Sequence, residues 1–136
     1  MEIPFSVGIS PTLKIRGLIA SRDIKTGEIL EKCPIILVEL KGQEEFLKKT
    51  VLWRYYFEWT AKYHAIVLGY GSLYNHSYSP NVRYDMDYKN QVMVYRAIKD
   101  IKNGEEVTIN YNWDPGLKDP IDEFLIDFDS HKPVKK

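Results

Sequence analysis

The sequence predicts a mostly β domain with short helices, and three observations carry that expectation. Four runs rich in β-branched and aromatic residues, "LKIRGLIA", "EILEKCPIILVEL", "QVMVYRAI" and "EVTINY", occupy the first and last thirds of the chain. Turn signals built on glycine, proline and asparagine separate them. One length of 136 residues is enough for a single good core and too short for two, so residues 1–136 read as one domain.

Taken in order, "LKIRGLIA" ends at the turn "RDIKTG", which feeds the long strand pattern "EILEKCPIILVEL". "EEFLKKTVL", residues 44–52, has helix-forming composition, whereas "YYFEW" suits either a strand or a helical turn. After the later strand runs, Asp119 can cap a helix with Pro120 in its first position. Ile121, Phe124, Leu125 and Phe128 then fall on one helical face that needs a docking surface. The tail "SHKPVKK" reads as frayed. "RDIKTGEIL" from Arg22 and "KDIKNGEEV" from Lys99 repeat Asp-Ile-Lys-x-Gly-Glu, which predicts two similar tight turns, each feeding a strand.

Composition limits the functional classes. Acidic and basic side chains number 19 each, so electrostatic capture of nucleic acid is not the expectation. The N-terminus lacks the pattern of a signal peptide and no window reads as a membrane span, so the expected location is intracellular, cytoplasmic or nuclear. That reading removes glycosylation as the explanation of "NHS" at Asn75 to Ser77. A single cysteine, Cys33, excludes an internal disulfide and a multi-cysteine zinc site, and His64, His76 and His131 lack metal-ligand spacing, so no metal is assigned.

The stretch "LGYGSLYNHSYSPN", Leu68 to Asn81, is the most informative. Amides and aromatic rings on a backbone loosened by Gly69 and Gly71 point to a pocket built partly from main chain. "NHSYSPN", followed about thirty residues later by "GEEVTINYN" and preceded by "RGLIA", resembles the paired signature and first cofactor motif of SET-domain protein lysine methyltransferases. The resemblance covers a core of about residues 13–111, with 112–136 as a flanking segment.

The resemblance implies a set of small curved β-sheets, with a knot-like crossing of the Asn-His-Ser segment beneath the strand end that carries a catalytic tyrosine, and a C-terminal helix. It implies S-adenosyl-L-methionine as cofactor and a protein substrate presenting a lysine, histone-like or other. Carried over by position, Tyr111 is the catalytic tyrosine; Arg16, Gly17, Tyr70, Asn75 and His76 are cofactor contacts; Tyr84, Ile109 and Trp113 belong to the lysine channel. Tyr84, in "NVRYDM", is also a candidate for limiting the product to one methyl group, the other reading being a strand residue that packs on the sheet. Ile15 stands where the family's first motif has a glycine, and the single cysteine rules out the zinc-binding segment that closes the channel in many relatives. Trp113 with the Ile121, Phe124 and Phe128 stripe is the candidate substitute, or that helix merely covers the core.

The implied chemistry suits these residue types. Methyl transfer to an amine is an in-line displacement that asks the protein for alignment and exclusion of water. The amine must be neutral, which at pH 8 costs roughly 3 kcal/mol from a model lysine pKa of about 10.4. Aromatic walls and a neighbouring positive charge lower that cost. Of the ten tyrosines, Tyr55, Tyr63, Tyr88 and Tyr95 read as ordinary half-buried sheet residues. Glu105 and Glu106, adjacent in sequence, are not a carboxylate pair for hydrolysis, and one is expected to pair or cap locally. A catalytically inactive SET-fold protein-binding module is the alternative function, and a homodimer is compatible with so small a domain.

Overall fold

The computed structural model describes residues 2–119. Nine strands dominate it: β1 Phe5–Ile9, β2 Arg16–Ala20, β3 Ile29–Glu39, β4 Phe57–Glu58, β5 Tyr63–Val67, β6 Asn75–His76, β7 Val82–Asp87, β8 Val92–Ala97 and β9 Thr108–Ile109. They form an antiparallel five-stranded sheet in the order β4-β5-β3-β8-β7, an antiparallel pair β1-β2 and a parallel pair β6-β9. The mostly β expectation holds.

Strand β3 explains how the large sheet curls. Its first part, through Pro34, pairs with β8, and its second part, from Ile35, pairs with β5. Proline has no N–H to offer a second ladder, so the changeover falls where the backbone has least to lose. β1 contains Ser6 and Gly8, poor strand formers, and owes its extended form to its register with β2, which sets Gly8 opposite Gly17.

The helical expectation for residues 44–52 is corrected. Helix α1 is only Glu44–Leu47, followed by a 3-10 turn at Val51–Arg54. Gln43 supplies no side-chain cap, and the Thr50 hydroxyl donates back to the Leu47 carbonyl at 2.7 Å, so the first turn is not extended. Within "YYFEW", Phe57 and Glu58 form strand β4, while Tyr55 ends the preceding 3-10 turn. The expected helix through Ile121, Phe124, Leu125 and Phe128, and the tail after it, lie outside the described residues.

The repeated turns pack against each other. Ile24 and Ile101 exchange backbone bonds of 2.7 and 2.8 Å, Asp100 Oδ1 accepts from Thr26 N at 2.9 Å, and Asp23 Oδ1 accepts from Asn103 N at 2.9 Å. Gly27 and Gly104 take the same left-handed φ, 90° and 91°. One motif, used twice, therefore closes the base of the domain on itself.

This closure places the chemistry-bearing segments together. Val107 N donates to the Leu18 carbonyl at 2.9 Å and Ala20 N to the Glu105 carbonyl at 2.8 Å, so the Gly-Glu-Glu segment runs along β2. The parallel pair sets Asn75 against Thr108 and His76 against Ile109. Leu18, Leu30, Val82, Met93, Val107 and Ile109 form the apolar centre between the sheets. Among the described residues, no helix is long and apolar enough to cross a membrane.

Candidate active site

The short strand β6 presents Asn75, whose side chain is 1% exposed although polar. Its Nδ2 donates to the Arg16 carbonyl and to Glu106 Oε2, both at 2.8 Å. Its Oδ1 is buried without a partner among the described residues, as is Nε2 of the adjacent His76. Buried polar atoms are nearly always paired, so each orphan is an open hydrogen-bonding position, and because consecutive strand residues face opposite ways the two are separate positions. Gly17 packs against the paired side of this amide: a Cβ there would sit 2.4 Å from Glu106 Oε2 and 2.7 Å from Asn75 Nδ2.

His76 connects this place to the next. Its Nδ1 accepts from Tyr111 N at 3.0 Å, which leaves the proton of the neutral ring on Nε2. Burial lowers the His76 pKa from its ordinary 6.5, favouring that neutral form. The Tyr111 hydroxyl donates to the Tyr74 carbonyl at 2.7 Å, and its ring lies 5.2 Å from that of His76.

Tyr111 also lines a groove of about 950 Å³ whose wall includes Trp53, Tyr56, Phe57, Tyr84 and Trp113 together with Glu44, Arg54 and Glu58. Tyr84 is 5% exposed, and among the described residues its hydroxyl makes no hydrogen bond while its ring meets Phe57 edge-on at 5.2 Å. Burial, followed by the Glu58 charge, holds the Tyr84 phenol far above its usual range. Burial and then Glu106 do the same for Tyr111. Both phenols are therefore neutral hydrogen-bonding groups rather than phenolate bases.

The remaining expected residues divide. Arg16 lies beside Gly17, its Nη2 donating to the Tyr55 hydroxyl at 3.4 Å. Tyr70 sits at the turn before Gly71, 37% exposed, with its ring 5.5 Å from Phe5. Trp113 reaches the groove from a left-handed backbone position, φ 75°. Ile109 is wholly buried in the apolar core and is absent from the groove wall, because β9 turns that side chain inward. Ile15 needs no glycine freedom: the left-handed residue of its loop is Lys14, φ 61°.

The ordinary-sheet reading of four tyrosines is corrected in part. Tyr63 begins β5, but Tyr55 lies off the sheet on the groove wall, and Tyr88 is exposed at the groove rim, 5.0 Å from Trp59. Tyr95 is fully buried, stacked on Tyr74 at 4.3 Å, with its hydroxyl donating to the Gly71 carbonyl at 2.8 Å. The expectation of a local partner for Glu105 or Glu106 is also corrected for Glu106. Its Oε1 accepts from Ser10 Oγ at 2.6 Å and its Oε2 from Asn75, residues far away in sequence. Nothing local in the sequence signals Ser10, whose role depends on β1 pairing with β2. Among the described residues, no group of three His, Cys, Asp or Glu side chains could hold a metal ion.

Comparisons with known proteins identify the family and the fold. The family model for the SET domain matches residues 15–112. Over 98 residues the chain is 32% identical to the histone-lysine N-methyltransferase, H3 lysine-37 specific, of Schizosaccharomyces pombe, covering 72% of this chain and 67% of that protein. A crystal structure of a candidate histone methyltransferase from Plasmodium falciparum superposes with a TM-score of 0.65 at 30% identity, covering 82% of this chain and 95% of that one. A humanized mutant of the Chaetomium thermophilum Polycomb Repressive Complex 2 superposes with a TM-score of 0.62 at 24% identity, over 79% of this chain and 14% of that one, a likeness of fold.

Proposed function

This chain belongs to the SET-domain family of protein-lysine methyltransferases, and on that premise we propose that it transfers methyl groups from S-adenosyl-L-methionine to a lysine of a histone or histone-like protein. The observation that carries the reading is the position of Tyr111, bonded through its N–H to His76 Nδ1 and through its hydroxyl to the Tyr74 carbonyl next to Asn75, while it also lines the aromatic-walled groove.

When bound, the cofactor supplies an electrophilic methyl group on a sulfonium. Asn75 Oδ1 is an acceptor suited to the ammonium of its amino-acid end, and Gly17 leaves room where any larger residue would collide with Glu106. Arg16, Tyr70 and the His76 main chain complete the proposed contacts. The groove's aromatic members Trp53, Tyr56, Phe57 and Tyr84 offer ring faces to a cationic lysine stem, and Glu44, Arg54 and Glu58 add charged groups to its wall. Tyr111 lines the same groove, its neutral phenol available to orient the reacting nitrogen. Trp113 is placed to cover the groove mouth.

The test is mass spectrometry of histones and lysate proteins incubated with the protein and isotopically labelled cofactor. Labelled methyl on lysine is the expected result. Calorimetric binding of cofactor with no transfer to any lysine would instead favour a protein-binding module, and no binding by folded protein would sink the cofactor reading.

A further inference from the structure

The Glu106 carboxylate joins two parts of the site that are far apart in sequence. Asn75 Nδ2 spends both of its N–H groups, one on the Arg16 carbonyl and one on Glu106 Oε2. An amide committed in this way has one orientation. Turning it over would set Oδ1 against a carbonyl and a carboxylate, two acceptors, so Oδ1 is held pointing away from them, where it has no partner among the described residues.

The second oxygen secures the other wall. Oε1 accepts from Ser10 Oγ at 2.6 Å, and Ser10 organises the loop ahead of Arg16 and Gly17. Ser10 Oγ accepts from Leu13 N at 3.0 Å, Ser10 O from Lys14 N at 2.9 Å, and Ser10 N donates to the Ile15 carbonyl at 2.7 Å. Ser10 is wholly buried, so this bond is sheltered from competing water.

We infer that Glu106 is a positioning residue for the amino-acid end of the cofactor: one carboxylate oxygen keeps the Asn75 Oδ1 presented as an acceptor, and the other holds the Ser10 to Ile15 loop in register with it. The inference rests on the reading that the site takes S-adenosylmethionine. It assigns Glu106 no contact with the reacting atoms.

Calorimetry with two ligands tests it. S-adenosylhomocysteine carries the amino-acid end, whereas 5′-methylthioadenosine lacks it. Glu106→Leu removes both acceptors at similar volume, and is expected to weaken S-adenosylhomocysteine about tenfold or more while 5′-methylthioadenosine changes by less than about twofold. Glu106→Gln keeps an acceptor for Asn75 and a donor for Ser10 Oγ, and is expected to restore both affinities to within about threefold of the parent. Equal losses for the two ligands in Glu106→Leu, or no loss for either, overturn the inference while leaving the cofactor reading intact. A folded parent that binds neither ligand overturns both. Should Glu106→Leu fail to fold, Ser10→Ala frees Oε1 alone and is expected to weaken S-adenosylhomocysteine selectively by a few fold; losses that do not discriminate between the ligands count against the inference.

Discussion

The hydroxyl of Tyr111 donates to the main-chain carbonyl of Tyr74 at 2.7 Å, although 37 positions separate them. The bond fixes the phenol beside the residue that immediately precedes Asn75, so the ring cannot move without disturbing the polar site. Tyr111→Phe keeps the ring and its packing but loses this anchor and the oriented hydroxyl. We expect kcat to fall roughly a hundredfold or more, with a stability loss of about 1 kcal/mol. Single-turnover kinetics and chemical denaturation measure the two separately; unchanged turnover would remove Tyr111 from the mechanism.

Tyr84 is almost completely buried yet lines the groove, and its hydroxyl makes no hydrogen bond among the described residues. Such a group can hold the substrate nitrogen or a water beside it, and a second methyl must displace that water. The expected parent product is mainly monomethyl-lysine, and Tyr84→Phe is expected to raise the dimethyl fraction while leaving the fold intact. Product ratios by mass spectrometry at matched conversion decide the matter; identical ratios would reduce Tyr84 to a packing residue.

Gly17→Ala places a methyl 2.4 Å from Glu106 Oε2 and 2.7 Å from Asn75 Nδ2. Because β2 is paired with β1 and bonded along residues 104–107, its backbone has little freedom to retreat. The expected cost is about 1–3 kcal/mol of stability, as for other overpacked positions, together with loss of cofactor binding. Urea denaturation and calorimetry check this, and parent-like values for both would show that the clash is relieved by simple side-chain movement.

Burial holds the His76 pKa below 6.5, so between that lowered value and 6.5 the unfolded chain binds more protons than the folded one. The stability that neutral His76 contributes is therefore complete above about pH 6.5 and is lost as the pH falls through that window. Protonation also ends acceptance of the Tyr111 N–H by Nδ1. His76→Asn offers an oxygen acceptor in place of Nδ1 and does not titrate. Melting temperatures from pH 7 to 5 should fall more steeply in the parent than in this variant; parallel curves would contradict the assignment.

Much of the domain could be read from residue order. Strands β2, β3 and β8 follow from runs of β-branched side chains, and the turns at Gly27 and Gly104 from a repeated motif whose glycine adopts positive φ. "NHSYSPN", "GEEVTINYN" and "RGLIA" pointed to the family because local motifs carry their chemistry in fixed spacing. Local composition overstated the helix at 44–52, where neither a cap nor a buried face was available to sustain it.

What the sequence by itself determined is therefore the class of fold, the family and the short list of polar and aromatic residues. Only the tertiary structure decided which of them meet. Ile109 went to the core alone, whereas Tyr84 packs in that core and also lines the groove, because strand pairing assigns each side chain a face. Glu106 became the partner of both Ser10 and Asn75 because β1, β2, β6 and the Gly-Glu-Glu segment converge, and that convergence depends on contacts between residues up to 96 positions apart. Backbone pairing over such separations is a property of the assembled sheets, and no window of the chain contains it.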